Sequence, residues 1–215
     1  PRGQSPGTGF AAPHVPGPVA LLQQSANSHI PTANWDEDAR RHQVMKAVIM
    51  NSADKIKDTG NGQFLGMEKT VLKKNATDTW LNSSAFTDPN IPLDPEMGTG
   101  QLNAKRALTQ FKTGESPVGN FADQTVSVPS IGWDFNSASF NNFNKYAIQG
   151  SLTAGNYVSA TLVWDRVLIL LDDWDNDGEF DKADGANPND TFTTTLFDNF
   201  DLFVVPAGTT SIETA

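Results

Sequence analysis

Cysteine is absent from the sequence. That excludes a disulfide framework, a thiolate metal site and a thiol nucleophile, and it leaves the compartment unreadable from redox chemistry. Long apolar runs are missing too. The longest unbroken one, Val167 to Leu171, falls far short of the roughly 18 residues that a membrane-spanning helix needs, so no membrane span is expected. The sequence opens on Pro1-Arg2-Gly3 with neither an initiator Met nor a charged-then-apolar leader. It is therefore expected to be a piece of a longer product, with any export signal upstream.

Basic residues are scarce in one half only. The chain of 215 residues holds 15 Lys and Arg against 25 Asp and Glu, a net charge of −10. Residues 1–112 carry 12 of the bases and 10 of the acids, whereas residues 113–215 carry 3 and 15. An acidic surface repels phosphate backbones, and no basic stripe interleaved with aromatics occurs, which argues against nucleic acid as a partner. A cation fits the second half better. With 38% apolar residues the chain can bury the core of one large domain or two small ones.

Periodicity divides the chain at the same place. Val44, Met45, Val48 and Ile49 recur at helical spacing among Arg40, Arg41, Lys46 and Lys55, which predicts an amphipathic helix over 38–56 with an acidic start at Asp36-Glu37-Asp38. A second, shorter helix is expected over Leu102–Leu108, entered through Gly98-Thr99-Gly100 and left near Thr113-Gly114. Between them, 58–97 is rich in Gly, Asn, Pro and Asp and reads as a long surface excursion. After Gly114 the period becomes two, at Val126/Val128, Tyr146/Ile148, Ala160/Leu162/Trp164 and Phe200/Leu202/Val204. Gly, Asn and Asp punctuate the gaps, as in an antiparallel sandwich or jelly roll. No internal repeat is visible, and the boundary is expected near 113–120.

One segment carries a recognisable pattern. Gly7-Thr8-Gly9-Phe10-Ala11-Ala12-Pro13-His14-Val15, running through Gly17 to Ala20-Leu21-Leu22, resembles the nucleophile segment of subtilisin-like serine proteases, Gly-Thr-Ser-x-Ala-x-Pro-His-Val-Ala-Gly followed by a helix. Met45 to Ala53 is similar to the next helix of that family, and Gly98-Thr99-Gly100-Gln101-Leu102-Asn103-Ala104 to the segment closing its catalytic domain. The three landmarks stand in family order over roughly residues 7–112. The resemblance implies an α/β fold for residues 1–114, the C-terminal portion of a subtilisin-like peptidase domain, followed over 115–215 by an all-β antiparallel sandwich or jelly-roll-like domain. It further implies an extracellular or cell-surface protein, a polypeptide substrate, and pairing with an absent N-terminal part of the peptidase domain. Phe197-Asp198-Asn199-Phe200-Asp201-Leu202 is similar to an Asn-x-Asp-Leu strand of sandwich domains attached to some members.

The sequence departs from the family where the chemistry depends on it. Such peptidases place a Ser at a loop-to-helix junction, where the helix N-terminus and a backbone N–H favour the developing oxyanion, while a His takes its proton and an Asp orients that His. The nucleophile position here is Gly9, which cannot form an acyl-enzyme. Neither Ser5 nor Thr8 replaces it, because each would have to occupy the junction that Gly9 holds. The family's Asp and His segments and its oxyanion Asn precede this motif and are not in the chain. His14 matches the family's helix-associated His rather than the base, and His29 and His42 stand outside any family motif. Pro16 and Pro18 replace small helix formers, and a Pro inside a helix costs about 3 kcal/mol, so the segment is expected to be bent or shortened. Peptide-bond hydrolysis, implied by the family, is not expected of the chain itself.

A second constellation is independent of the first. Asp173-Trp174-Asp175-Asn176-Asp177-Gly178-Glu179-Phe180-Asp181-Lys182-Ala183-Asp184 matches the register of a twelve-residue calcium loop: oxygens at positions 1, 3 and 5, Gly at 6, an apolar residue at 8, acids at 9 and 12. Calcium takes six to eight hard oxygens, and alternate acids on a turning loop converge them. Asp173, Asp175, Asp177, Glu179, Asp181 and Asp184 are the candidate ligands for Ca2+. Position 12 is Asp184 rather than the bidentate Glu of the helix-loop-helix form, and no convincing helix flanks the loop, so a loop inserted between sandwich strands is expected. A solvated acidic excursion is the plainer explanation, but that much like charge repels itself unless a cation relieves it.

Trp133, Trp164 and Trp174 have a plainer role in core or loop packing than as a carbohydrate platform. Asn75-Ala76-Thr77 and Asn82-Ser83-Ser84 are given no role. From a different functional class comes the alternative of a calcium-dependent β-sandwich module for binding or adhesion, in which residues 1–112 are a peptidase remnant.

Overall fold

The computed structural model describes residues 8–28, 35–54, 83–88, 91, 93–94, 98–119, 126–138, 143–151, 153, 158–165, 168–170, 192–194, 200–207 and 209. Two compact units are present, one formed by Pro1–Val163 with Pro206–Ala215, the other by Trp164–Val205. The division falls within the region that the sequence assigns to the second domain.

In the first unit, the opening segment is helical in three pieces: α1 (Thr8–Ala11), a 3-10 turn (Ala12–His14) and α2 (Pro16–Ser28). Pro16 and Pro18 do not shorten α2, because both fall in its first turn, where backbone N–H groups lack intrahelical partners and a missing donor costs little. Val19 is the first α2 residue to bond back along the helix, its N–H donating to the Val15 carbonyl at 3.2 Å. Leu22 and Ala26, four apart, are buried on one stripe with Val19 at its edge.

Within the helix predicted over 38–56 the structure holds α4 (His42–Asn51), preceded by a separate turn of helix, α3 (Trp35–Asp38), while residues 55 and 56 lie outside the described residues. Arg41 breaks the run with extended backbone, φ −62° and ψ 141°. Its side chain reaches back to Asp38 at 2.9 Å and Glu37 at 3.3 Å. The break turns Ala39 fully into the core. Val44, Met45 and Val48 of α4 are buried at the predicted spacing. The helix ends at Asn51, and the chain pairs Asp54 with Gln101 through two backbone hydrogen bonds of 2.8 and 2.9 Å.

A single turn, α5 (Ser84–Thr87), precedes α6 (Ala104–Phe111). Asn103 caps α6, its side-chain oxygen accepting the Arg106 N–H at 2.9 Å. Gly100, at φ +121°, makes the turn that delivers Gln101 to Asp54, and Gly114, at φ +83°, turns the chain away after α6. Helices α2 and α4 both pack on α6. Leu22, Ala26, Ala39, Val44, Met45, Val48, Ala107, Phe111 and Trp133 form the core.

Trp133 lies outside the helices, and its segment is laid on them by the Glu115–Trp133 bridge, with the Ser116 N–H donating to the Trp133 carbonyl at 2.7 Å. Farther along, β1 (Ser127–Val128) and β2 (Ala147–Ile148) pair with Ser127 opposite Ala147 and Val128 opposite Ile148. The pair runs parallel, which the long connection between the strands permits and a tight hairpin would not. Residues 158–165 and 200–207 belong to neither sheet.

In the second unit, β3 (Leu168–Leu170) and β4 (Phe192–Thr194) pair antiparallel, Leu168 opposite Thr194 and Leu170 opposite Phe192. Trp164 meets Phe200 edge to face, with ring centroids 5.6 Å apart and planes at 76°.

Candidate functional site

Gly9 lies in α1, exposed to solvent. A Cβ built on it meets no atom within 4 Å, so the position is open to a side chain and has none. His14 follows in the 3-10 turn, also exposed, and α2 starts two residues later. The sequence-predicted order of nucleophile position, His and helix is thus a run of short helical pieces. None of them supplies a reactive oxygen at position 9. Ser5, Gly7 and His29 lie outside the described residues.

The two downstream landmarks of the sequence reading meet. Asp54 follows the Met45–Ala53 segment, and Asn103 and Arg106 belong to the Gly98–Ala104 segment and α6. The Asn103 amide donates to Asp54 Oδ2 at 2.8 Å, and the Arg106 guanidinium reaches Asp54 Oδ1 at 2.9 Å. Asp54 is buried, 3% exposed. A carboxylate this deep requires both a cation and hydrogen bonds, and it receives them from one helix N-terminus. The arrangement is a positioning knot: it fixes the Gly98–Gln101 turn against the end of α4.

Beside it, the Asn51 amide donates to Gln110 Oε1 at 3.2 Å, and the Asn51 side-chain oxygen accepts from Ser159 at 2.9 Å and Thr161 at 3.1 Å. Gln110 in turn donates to the Gly132 carbonyl at 3.0 Å. These contacts tie residues remote in sequence to the helical layer.

The calcium-type loop, Asp173, Asp175, Asp177, Glu179, Asp181 and Asp184, lies outside the described residues, as does Trp174. The two strands that bracket it are β3 and β4, and their register sets Leu170 opposite Phe192. The acidic stretch therefore connects two paired strand ends. Among the described residues no group of three or more His, Asp or Glu side chains is arranged to hold a metal ion, and no helix is long and apolar enough to cross a membrane.

A third constellation was not singled out in the sequence. Glu115, Asp134 and Tyr146 come together where the segment after α6 meets the α3–α4 turn. The Tyr146 hydroxyl donates to Asp134 Oδ2 at 2.7 Å, and Glu115 Oε1 accepts the Phe135 N–H at 3.4 Å. Burial pushes the Asp134 and Glu115 carboxyls above their usual range, and the charge of Asp38 adds to both shifts. Tyr146 is 38% exposed, yet partial desolvation of its hydroxyl, then the bond to Asp134, raises its phenol above the usual value. The only sequence signal for the cluster was the alternation that set Tyr146 in a strand, because three residues so far apart share no local spacing.

No protein-family model, curated protein or solved structure matches the chain.

Proposed function

We propose that the chain is the C-terminal portion of a secreted subtilisin-like serine endopeptidase: the tail of the α/β catalytic domain over 1–114, then a β-sandwich over 115–215 bearing a calcium loop at 173–184. On this reading the chain does not hydrolyse peptides. The observation that carries it is the segment around Gly9, which keeps the order of a nucleophile segment while its central position holds no side chain. The knot of Asp54, Asn103 and Arg106 is consistent with the same origin, since it joins the second and third landmarks into one scaffold.

The experiment is hydrolysis of an unfolded polypeptide by the purified chain. No turnover is expected, and turnover blocked by a serine-directed inhibitor contradicts the proposal. The coding sequence ahead of Pro1 tests the origin separately: in-frame Asp and His segments support it, and an export signal running directly into this chain does not.

The alternative, a calcium-dependent module for binding or adhesion, is favoured by one observation. The β3–β4 pairing closes the ends of the acidic stretch on each other, so the ordering cost of a metal loop there is partly met by the strands. Calcium as ligand and polypeptide as partner belong to this proposal, and so does pairing with the N-terminal part of a peptidase domain.

A further inference from the structure

We draw no further inference here: the strongest candidate, the surface patch of four adjacent exposed apolar side chains Leu202, Phe203, Val204 and Val205 beyond β4, belongs to neither sheet among the described residues, and nothing in the structure shows what covers it.

Discussion

Trp133 stacks on Phe111, the ring centroids 5.8 Å apart and the planes 14° from parallel, and its indole N–H donates to the Phe111 carbonyl at 2.9 Å. Phe111 closes α6, whereas Trp133 comes from the segment beyond it, so the two bind the helical layer and the chain that follows into one core. Trp133→Ala should destabilise the first unit by about 3–5 kcal/mol, the range for deleting a large buried aromatic. Trp133→Phe keeps most of the packing and loses the indole donor, so its cost should be closer to about 1–2 kcal/mol. Denaturant unfolding of the two variants checks the order.

The Asp54 knot should respond unequally to its two ends. Arg106→Met leaves a buried carboxylate without its cation, at a cost of about 3 kcal/mol, the low end for a broken buried pair because Arg106 keeps a third of its side chain in solvent. Asn103→Ala removes a helix cap and one bond to Asp54, and should cost about 1–2 kcal/mol. The pair are in contact, so a double variant should fall short of the sum of the singles.

Position 9 should be indifferent to a side chain as far as folding is concerned. Gly9→Ser meets no neighbour, and its effect on stability should stay within about 0.5 kcal/mol. It should also fail to create hydrolysis, because the Asp and His segments of the resembled family are not in the sequence. A gain of peptide turnover in that variant would contradict the reading of the triad as absent.

Calcium should raise the melting temperature of the full chain, since a ligand that binds only the folded state stabilises it by mass action. Replacing Asp173 and Asp177 together by Ala removes positions 1 and 5 of the proposed register and should abolish the rise. A melt unmoved by millimolar calcium supports the solvated acidic excursion instead.

What was legible in the sequence was periodic and local. The stripe Val44, Met45, Val48 identified the buried face of α4, and Gly98-Thr99-Gly100 marked the entry to α6, because both features act within a turn or two. The break at Arg41 was not legible, as it depends on a side chain returning to Glu37 and Asp38 and on Ala39 finding room in the core. The effect of Pro16 and Pro18 turned on where α2 starts, a matter of one turn. Alternation at Val126/Val128 and Tyr146/Ile148 marked the neighbourhoods of β1 and β2, but the antiparallel pairing expected there is not the one this pair makes, which runs parallel, because alternation fixes which residues share a face and not the partner or its direction. The candidate sites divide in the same way. Gly9 was found by local pattern, whereas the Asp54 knot and the Glu115–Asp134–Tyr146 cluster are assembled by tertiary contacts between distant residues.

The measurement that tests the central claim most directly is intact-mass analysis of the wild-type chain after exposure to a fluorophosphonate probe. A chemically blank position 9 predicts no adduct. A stoichiometric adduct that a competing peptide substrate suppresses would place an activated hydroxyl elsewhere in the chain and contradict the claim.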